Sequence, residues 1–182
     1  MKTYILIIIL LSFWFSPEAQ AQTTTLSLPV MTATPGENIT VPLTVTNFNN
    51  IGAISLVINF DEVSLSYVTT QNTASSINLV ANATSGSLSL AWFDASGSNP
   101  LNVGDGTLAE LVFKYTGGTS DLLFDTAQSE IADAAGEVIS VTFENGHIRP
   151  AEGVTTVSLP VLEVPAGTSS TGKLTVVTPS AG

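Results

Sequence analysis

The chain has 182 residues, of which 44% are hydrophobic and 10% are charged, and its formal net charge is −11. This composition supports a buried hydrophobic core. Because the chain has no cysteine, it forms no disulfides, and the core must hold the fold together. Its four Lys and Arg residues are too few to form the basic surface that nucleic acid or an anionic membrane requires, so neither is an expected partner.

Residues 1–21 are predicted to be a cleaved secretory signal peptide. A basic start at Lys2 precedes the apolar run YILIIILLSFWF, and the small-x-small pattern ending at Ala21 marks the cleavage point. The run is shorter than the ~20 residues that span a bilayer, so no membrane span is expected after cleavage. We therefore expect a secreted or extracellular protein. Attachment to a cell surface would need sequence beyond residue 182.

Downstream of the signal, short runs alternate between apolar and polar residues. The apolar positions are Ile39, Val41, Leu43 and Val45; Ile54, Leu56, Ile58 and Phe60; Leu88, Leu90 and Trp92; and Ile139, Val141 and Phe143. A period of two with one polar face is typical of antiparallel sheets that are solvated on one side. Several such strands separated by turn residues predict an all-β sandwich or barrel.

Three irregularities are expected along these strands. Pro29 and Pro42 fall inside strand runs, and because proline cannot donate to a ladder, both should lie at edges or irregular points. The segment GTLAELVFKY changes phase, so a β-bulge is predicted between Leu108 and Leu111. The segment DEVSLSYV is expected to open with one helical turn before the next strand.

One phrase occurs twice, as TTLSLPV at residues 24–30 and as TTVSLPV at residues 155–161. The same offset pairs Gly36 with Gly167 and the LTV at residues 43–45 with the LTV at residues 174–176. We interpret residues 23–150 as one module and the segment PAEG, residues 150–153, as the linker that follows it. Residues 154–182 are then the truncated start of a second, similar β module in a tandem array.

Four segments of the first module resemble, in order, those of a cohesin domain. They are TPGENITVPLTVTN, IGAISLVINFDEVSLSYV, DGTLAELVFKY and SEIADAAGEVISVTFENGHI. The resemblance implies a jelly-roll β-sandwich of about nine strands and a non-catalytic binding function. The implied partner is a dockerin, a small calcium-loaded helical module, in an assembly for polysaccharide degradation. Related carbohydrate-binding modules share the superfamily, so polysaccharide remains an alternative ligand.

The resemblance also implies which outward side chains contact the partner. They are Ala53, Ser55, Val57, Asn59, Ser89, Ala91, Phe93, Asp94 and Leu123. Type I cohesins carry an Asn and an Asp where Ala53 and Ser55 stand here, so the chain departs from that pattern. Val57 and Phe93 can still form an apolar centre with a polar rim. The alternative is a sheet face with a few scattered apolar side chains.

Sugar binding has weaker support because it usually requires an aromatic platform. Trp92 is the one tryptophan after the predicted signal, and it is in phase with Leu88 and Leu90. We therefore expect Trp92 to lie in the core. Phe93 points outward, but a single phenylalanine is a poor platform.

The sequence gives little support for catalysis or for a metal. Its one histidine, His147, has no nucleophile motif beside it. Acidic residues at strand ends and in loops are common for turn chemistry; they are Asp61, Asp94, Asp105 and Asp133. Calcium binding through Asp94 and Asp105 stays open, although EF-hand spacing is absent. We predict a binding module without a cofactor or a metal. The alternatives are a carbohydrate-binding module of a polysaccharide-degrading enzyme and a structural spacer.

Overall fold

A computed structural model describes residues 23–151, which form twelve β-strands. The strands are β1 Thr24–Ser27, β2 Val30–Ala33, β3 Asn38–Phe48, β4 Ile51–Asn59, β5 Leu65–Gln71, β6 Val80–Thr84, β7 Ser87–Phe93, β8 Gly104–Tyr115, β9 Ser120–Phe124, β10 Glu130–Asp133, β11 Val141–Glu144 and β12 Gly146–Pro150. A single 3₁₀ turn, Ala74–Ser76, lies between β5 and β6. The predicted signal peptide and second module lie outside the described residues.

The strands form two sheets. The first has the order β11-β1-β3-β8-β5, and the second has the order β2-β12-β9-β4-β7-β6. Strands β9 and β10 both pair with β4. The predicted all-β sandwich is confirmed. Two pairs, β1 with β11 and β2 with β12, are parallel, which the alternation pattern did not predict.

The structure has twelve strands where about nine are expected, because three segments are each divided into two strands: β1 with β2, β9 with β10, and β11 with β12. The first and last segments both cross from the first sheet to the second, so β1 and β2 lie in different sheets, as do β11 and β12. The loop after β9 interrupts the pairing along β4, and β10 resumes it.

The two crossings lie against each other. Leu28 N donates to the Glu144 carbonyl at 2.9 Å, and His147 N donates to the Pro29 carbonyl at 3.1 Å. A Cβ atom on Gly146 would lie 2.7 Å from the Pro29 carbonyl oxygen and 2.8 Å from Leu28 Cβ. Only glycine fits this approach, and Pro29 lies at an irregular point as predicted.

Two further predicted irregularities, Pro42 and the bulge in β8, are also present. Pro42 lies in β3 opposite Glu110 of β8, but β1 pairs only with residues 44–46, so β1 ends before it reaches Pro42. In β8, Ala109 pairs with Leu43 and Thr107 pairs with Thr44. Leu108 is therefore the extra residue of the predicted bulge, and the bulge leaves both Leu108 and Ala109 buried.

The inward faces of the two sheets form one hydrophobic core. The predicted apolar positions of β3 and β4 are buried, as are Leu88 and Leu90 of β7. Phe113 packs edge-on against Phe60 and Tyr67, with ring centroids 5.2 and 5.8 Å apart. The helical turn expected after β4 is present, since Leu65 N donates to the Asp61 carbonyl at 2.9 Å.

We expect Gly146→Ala to lower the free energy of unfolding by about 1–3 kcal/mol, because the added methyl group overlaps the Leu28–Pro29 crossing. Urea denaturation of the full chain measures this change. Ser89→Ala, on an exposed strand position, is the matched control and should change stability by less than about 0.5 kcal/mol. Equal denaturation midpoints for Gly146→Ala and the parent protein would contradict this account.

A protein comprising residues 23–150 should unfold in a single cooperative transition, because the first and last strands pair within this range. Circular dichroism during heating and calorimetry should give the same midpoint. A shorter protein ending at residue 145 lacks β12 and should lose that transition. A broad melt of residues 23–150 would show that the module boundary is wrong.

Candidate functional site

The outer surface of the second sheet brings the predicted partner-contact residues together. Across β4 and β7, Ala53 is opposite Phe93, Ser55 is opposite Ala91 and Val57 is opposite Ser89. The remaining three complete the group: Asn59 lies opposite Leu123 of β9, and Asp94 directly follows β7. We call the outward residues of β4, β7 and β6 the outer face.

Strand β6 extends this surface beyond the sequence prediction. Val80 lies opposite Ala91, and Asn82 lies opposite Ser89. The signal for them was present in the run LVANAT, where Leu79 is buried and its neighbour Val80 is exposed. This run is short and rich in small residues, so its alternation is a weak strand signal.

The outer face carries no charged side chain, although the chain has a net charge of −11. Its outward positions are Ala53, Ser55, Val57 and Asn59 on β4; Ser87, Ser89, Ala91 and Phe93 on β7; and Val80, Asn82 and Thr84 on β6. Phe93 is 69% exposed and Val80 is 58% exposed. A surface of this composition can be desolvated at low cost.

Charged groups lie around this neutral area rather than on it. Glu130 of β10 lies opposite Ser55. Further along the sheet, His147 Nδ1 lies 2.7 Å from Asp121 Oδ1. Leu123, two residues after Asp121 in β9, is 43% exposed. The arrangement is an apolar centre with a polar and mainly acidic rim.

The loop between β9 and β10 fixes the middle of β4. Asp125 N donates to the Val57 carbonyl at 2.8 Å, and Val57 N donates to Ser129 Oγ at 3.0 Å. The backbone of Val57 is therefore hydrogen-bonded where β9 has left the sheet and β10 has not begun. This holds the Val57 side chain in the plane of the outer face.

Asp94 organises the loop that borders Phe93. One carboxylate oxygen accepts from Ser96 N at 2.9 Å and Ser96 Oγ at 2.6 Å, and the other accepts from Asn99 N at 2.6 Å. Hydrogen bonding by the Ser96 side chain, followed by that of the Asn99 backbone, lowers the pKa of Asp94 below its usual value. The backbone N of Asp94 also donates to the Gly52 carbonyl at 2.8 Å.

The other acidic residues considered for catalysis or calcium also serve the backbone. Asp61 accepts from Val63 N at 3.0 Å, Asp105 accepts from Asn47 N at 2.7 Å, and Asp133 accepts from Ala135 N at 2.9 Å. The expected structural use of these acids is confirmed. Within residues 23–151, no group of three or more His, Asp or Glu side chains is placed to hold a metal ion.

Trp92 differs from the sequence prediction. It faces inward opposite Ile54, as its phase predicted, and packs against the core, but it is only half-buried. The rest of its side chain lines a cleft of about 520 Å³, together with Phe93 and the segment 99–102. Trp92 lies in the last inward position of β7, near the end of the sandwich, where the sheets no longer cover it completely.

The family model of the cohesin domain matches residues 24–149, a range that covers nearly all of the sandwich described above. The chain belongs to the cohesin domain family. No curated protein matches the chain. Within residues 23–151, no helix has the length and apolar character needed to cross a membrane.

Solved cohesin structures share this fold. CaCohA2 from Clostridium acetobutylicum, in a complex with CaDoc0917, has a TM-score of 0.65 at 26% identity, over 71% of this chain and 100% of that one. The sixth cohesin of scaffoldin B from Acetivibrio cellulolyticus, in complex with a Cel5 dockerin, has a TM-score of 0.64 at 18% identity, over 71% and 100%. A non-cellulosomal cohesin from Archaeoglobus fulgidus has a TM-score of 0.62 at 22% identity, over 71% and 92%.

The Asp94 loop makes the stability of this cohesin dependent on pH. Because the pKa of Asp94 is lowered in the folded state, its contribution is present above the ordinary value of 3.8 and is lost as the pH falls through the lowered pKa. Asp94→Asn should therefore lower the melting temperature at about pH 7, and the difference from the parent should shrink by about pH 2.5.

Thermal melts across this pH range measure the effect, with Ser96→Ala as the companion variant. That substitution removes the hydroxyl that lowers the Asp94 pKa most, so its effect should also shrink towards low pH. A melting-temperature difference that stays constant from neutral to acid pH would disprove the assignment.

Proposed function

We propose that this cohesin is a non-catalytic binding module that captures a dockerin-type protein partner through the outer face. The observation that carries the proposal is the uncharged outer face with exposed Phe93 and Val80. The residues that the cohesin resemblance assigns to partner contact all lie in the second sheet, except Asp94, which directly follows its strand β7. A structurally similar cohesin from Acetivibrio cellulolyticus has been solved with a dockerin bound, which supports a partner of this class.

The chemistry of the face suits a protein surface. An aromatic anchor surrounded by small polar residues is typical of the centre of a protein interface. Phe93 supplies the anchor, while Val57 and Ala91 supply a flat apolar area beside it. The acidic rim, with Glu130 and Asp121 at its edge, favours partners with complementary positive charge.

The partner's hydrogen bonding should differ from that of type I complexes. Ala53 offers no side-chain hydrogen bond, and Ser55 offers one hydroxyl where a carboxylate or amide would otherwise stand. We infer a dockerin-type partner that meets this region with small or apolar groups.

We further propose that the module is exported and belongs to a tandem scaffold associated with polysaccharide degradation. The signal-like pattern of residues 1–21 supports export, and the phrase repeated at residues 155–161 supports a second module beginning near residue 154. A structural spacer with the same fold would need no binding face, so the partner experiment separates the two functions.

Val57→Asp and Phe93→Asp should each weaken partner capture by about tenfold or more, because a charge would have to be desolvated at the centre of the interface. The full chain is immobilised and exposed to the secreted proteins of the source organism, and the captured proteins are identified by mass spectrometry. Any dockerin modules among them are then purified, and their binding to the parent chain and to the variants is measured. Val68→Asp is the matched control, since Val68 is a 48% exposed valine of the other sheet.

Equal capture by all three variants would show that the partner is real but binds elsewhere. Retention of the parent chain on insoluble glycan, with no protein captured, would overturn the proposed function and favour a carbohydrate-binding module.

A further inference from the structure

A second surface lies at one end of the sandwich and adjoins the outer face at Phe93. The cleft of about 520 Å³ is bounded by the 3₁₀ turn, the end of β7 and the loop before β8. Its volume is within the range of about 300–1,000 Å³ found for small-ligand sites. We propose that this cleft, with Trp92 as its aromatic wall, binds a ring of a neutral oligosaccharide.

Both walls of the cleft are held in place by hydrogen bonds within the chain. On one side, Ile51 and Leu101 exchange backbone hydrogen bonds of 3.0 and 2.8 Å, and Asn50 N donates to Asn102 Oδ1 at 2.8 Å. On the other side, Thr73 Oγ1 donates to the Ile77 carbonyl at 2.8 Å. A preformed cleft of this kind binds a rigid ring without a large ordering cost.

The 3₁₀ turn at the mouth of the cleft has a strained backbone. Ser75 and Ser76 have φ angles of 52° and 53°, a left-handed conformation that residues other than glycine rarely adopt. Such strain persists where the surrounding structure holds it, and it is concentrated at ligand sites. Here it places Ser75 in the lining of the cleft.

Trp92 combines an apolar ring with a free polar group. Its indole N–H donates no hydrogen bond within the described residues, and no buried side-chain nitrogen or oxygen there lacks a partner. The N–H is therefore accessible to solvent and can donate to a ligand. A pyranose ring has an apolar face of C–H groups, which can stack on the indole ring, and a rim of hydroxyls, which can accept from the indole N–H.

Other polar groups in the lining retain hydrogen-bonding capacity. Asn99 donates from its amide to Ser96 Oγ at 3.0 Å, which leaves its carbonyl oxygen as an acceptor. Asn102 donates one amide N–H to the Pro100 carbonyl at 2.9 Å, which leaves its second N–H. With the Ser75 hydroxyl, the cleft offers several neutral donors and acceptors around one aromatic wall.

The charge of the cleft favours a neutral ligand. Asp94 is its single charged lining residue, and both carboxylate oxygens already accept hydrogen bonds within the loop. No lysine or arginine lines it, so phosphates and carboxylates would meet no positive charge. Lys114 and Arg149, the cations of residues 23–151, lie in β8 and β12.

To test this, the purified full chain is titrated with cellohexaose, xylohexaose, mannohexaose and chitohexaose, each to about 10 mM. Binding is measured by tryptophan fluorescence and by calorimetry. At least one sugar should give a saturable change in fluorescence. Trp92 is the one tryptophan after the predicted signal peptide, so the difference in fluorescence between the parent and Trp92→Phe reports on Trp92.

Calorimetry should show that Trp92→Phe weakens binding about two- to tenfold, because this variant keeps an aromatic ring but loses one hydrogen-bond donor. Ser75→Ala should give a smaller loss. Val57→Asp, whose side chain lies on the outer face and not in the cleft lining, should bind the sugar normally while losing the protein partner. This pattern makes failure of the cleft distinguishable from failure of the proposed function.

The cleft assignment is overturned if none of the four sugars binds, or if Trp92→Phe binds the sugar as tightly as the parent. It is also overturned if a neutral-capped lysine peptide binds at Trp92 while the sugars do not. That result would identify the cleft as a cation–π site for a protein side chain, whose binding should weaken with added salt.

Discussion

The whole sandwich depends on one close approach, where two chain crossings pass from the first sheet to the second. The carbonyl of Pro29 accepts from His147 N, and the Leu28 N–H donates to Glu144, so each crossing satisfies the backbone of the other. Gly146 leaves no space for a Cβ atom. Because β1 and β11 are neighbours in one sheet and β2 and β12 are neighbours in the other, this contact sets the position of both sheets, and with it the geometry of the outer face.

The same chain combines a large negative charge with a neutral outer face by using several of its acids in loops and at strand ends. Asp61, Asp94, Asp105 and Asp133 each accept a hydrogen bond from a backbone N–H. In the strands of the outer face, small polar residues occupy the outward positions instead. Acidic charge therefore stabilises the connections between strands and supports solubility, while the outer face between them stays uncharged.

The alternation of residue types predicted the inward and outward faces well because the side-chain period of a strand is two. It also predicted a bulge between Leu108 and Leu111, since a change of phase within one strand requires an extra residue; the extra residue in the structure is Leu108. It could not predict the parallel pairing of β1 with β11, which depends on contacts far apart in sequence. Nor could it predict the half-burial of Trp92, because phase gives the direction of a side chain but not its distance from the end of the sheet.

Strand β7 contributes side chains to both the outer face and the cleft. Trp92 and Phe93 are adjacent in β7 and therefore point to opposite sides of the sheet, Trp92 towards the core and Phe93 towards the outer face. Because β7 ends here, both side chains also line the cleft. Asp94 follows directly, and the loop that it organises forms the far wall of the cleft and the border of Phe93. The two surfaces have different chemistry, yet they share Phe93 and the support of this loop. A change that loosens the Asp94 loop should therefore affect both, whereas Val57 belongs to the outer face alone.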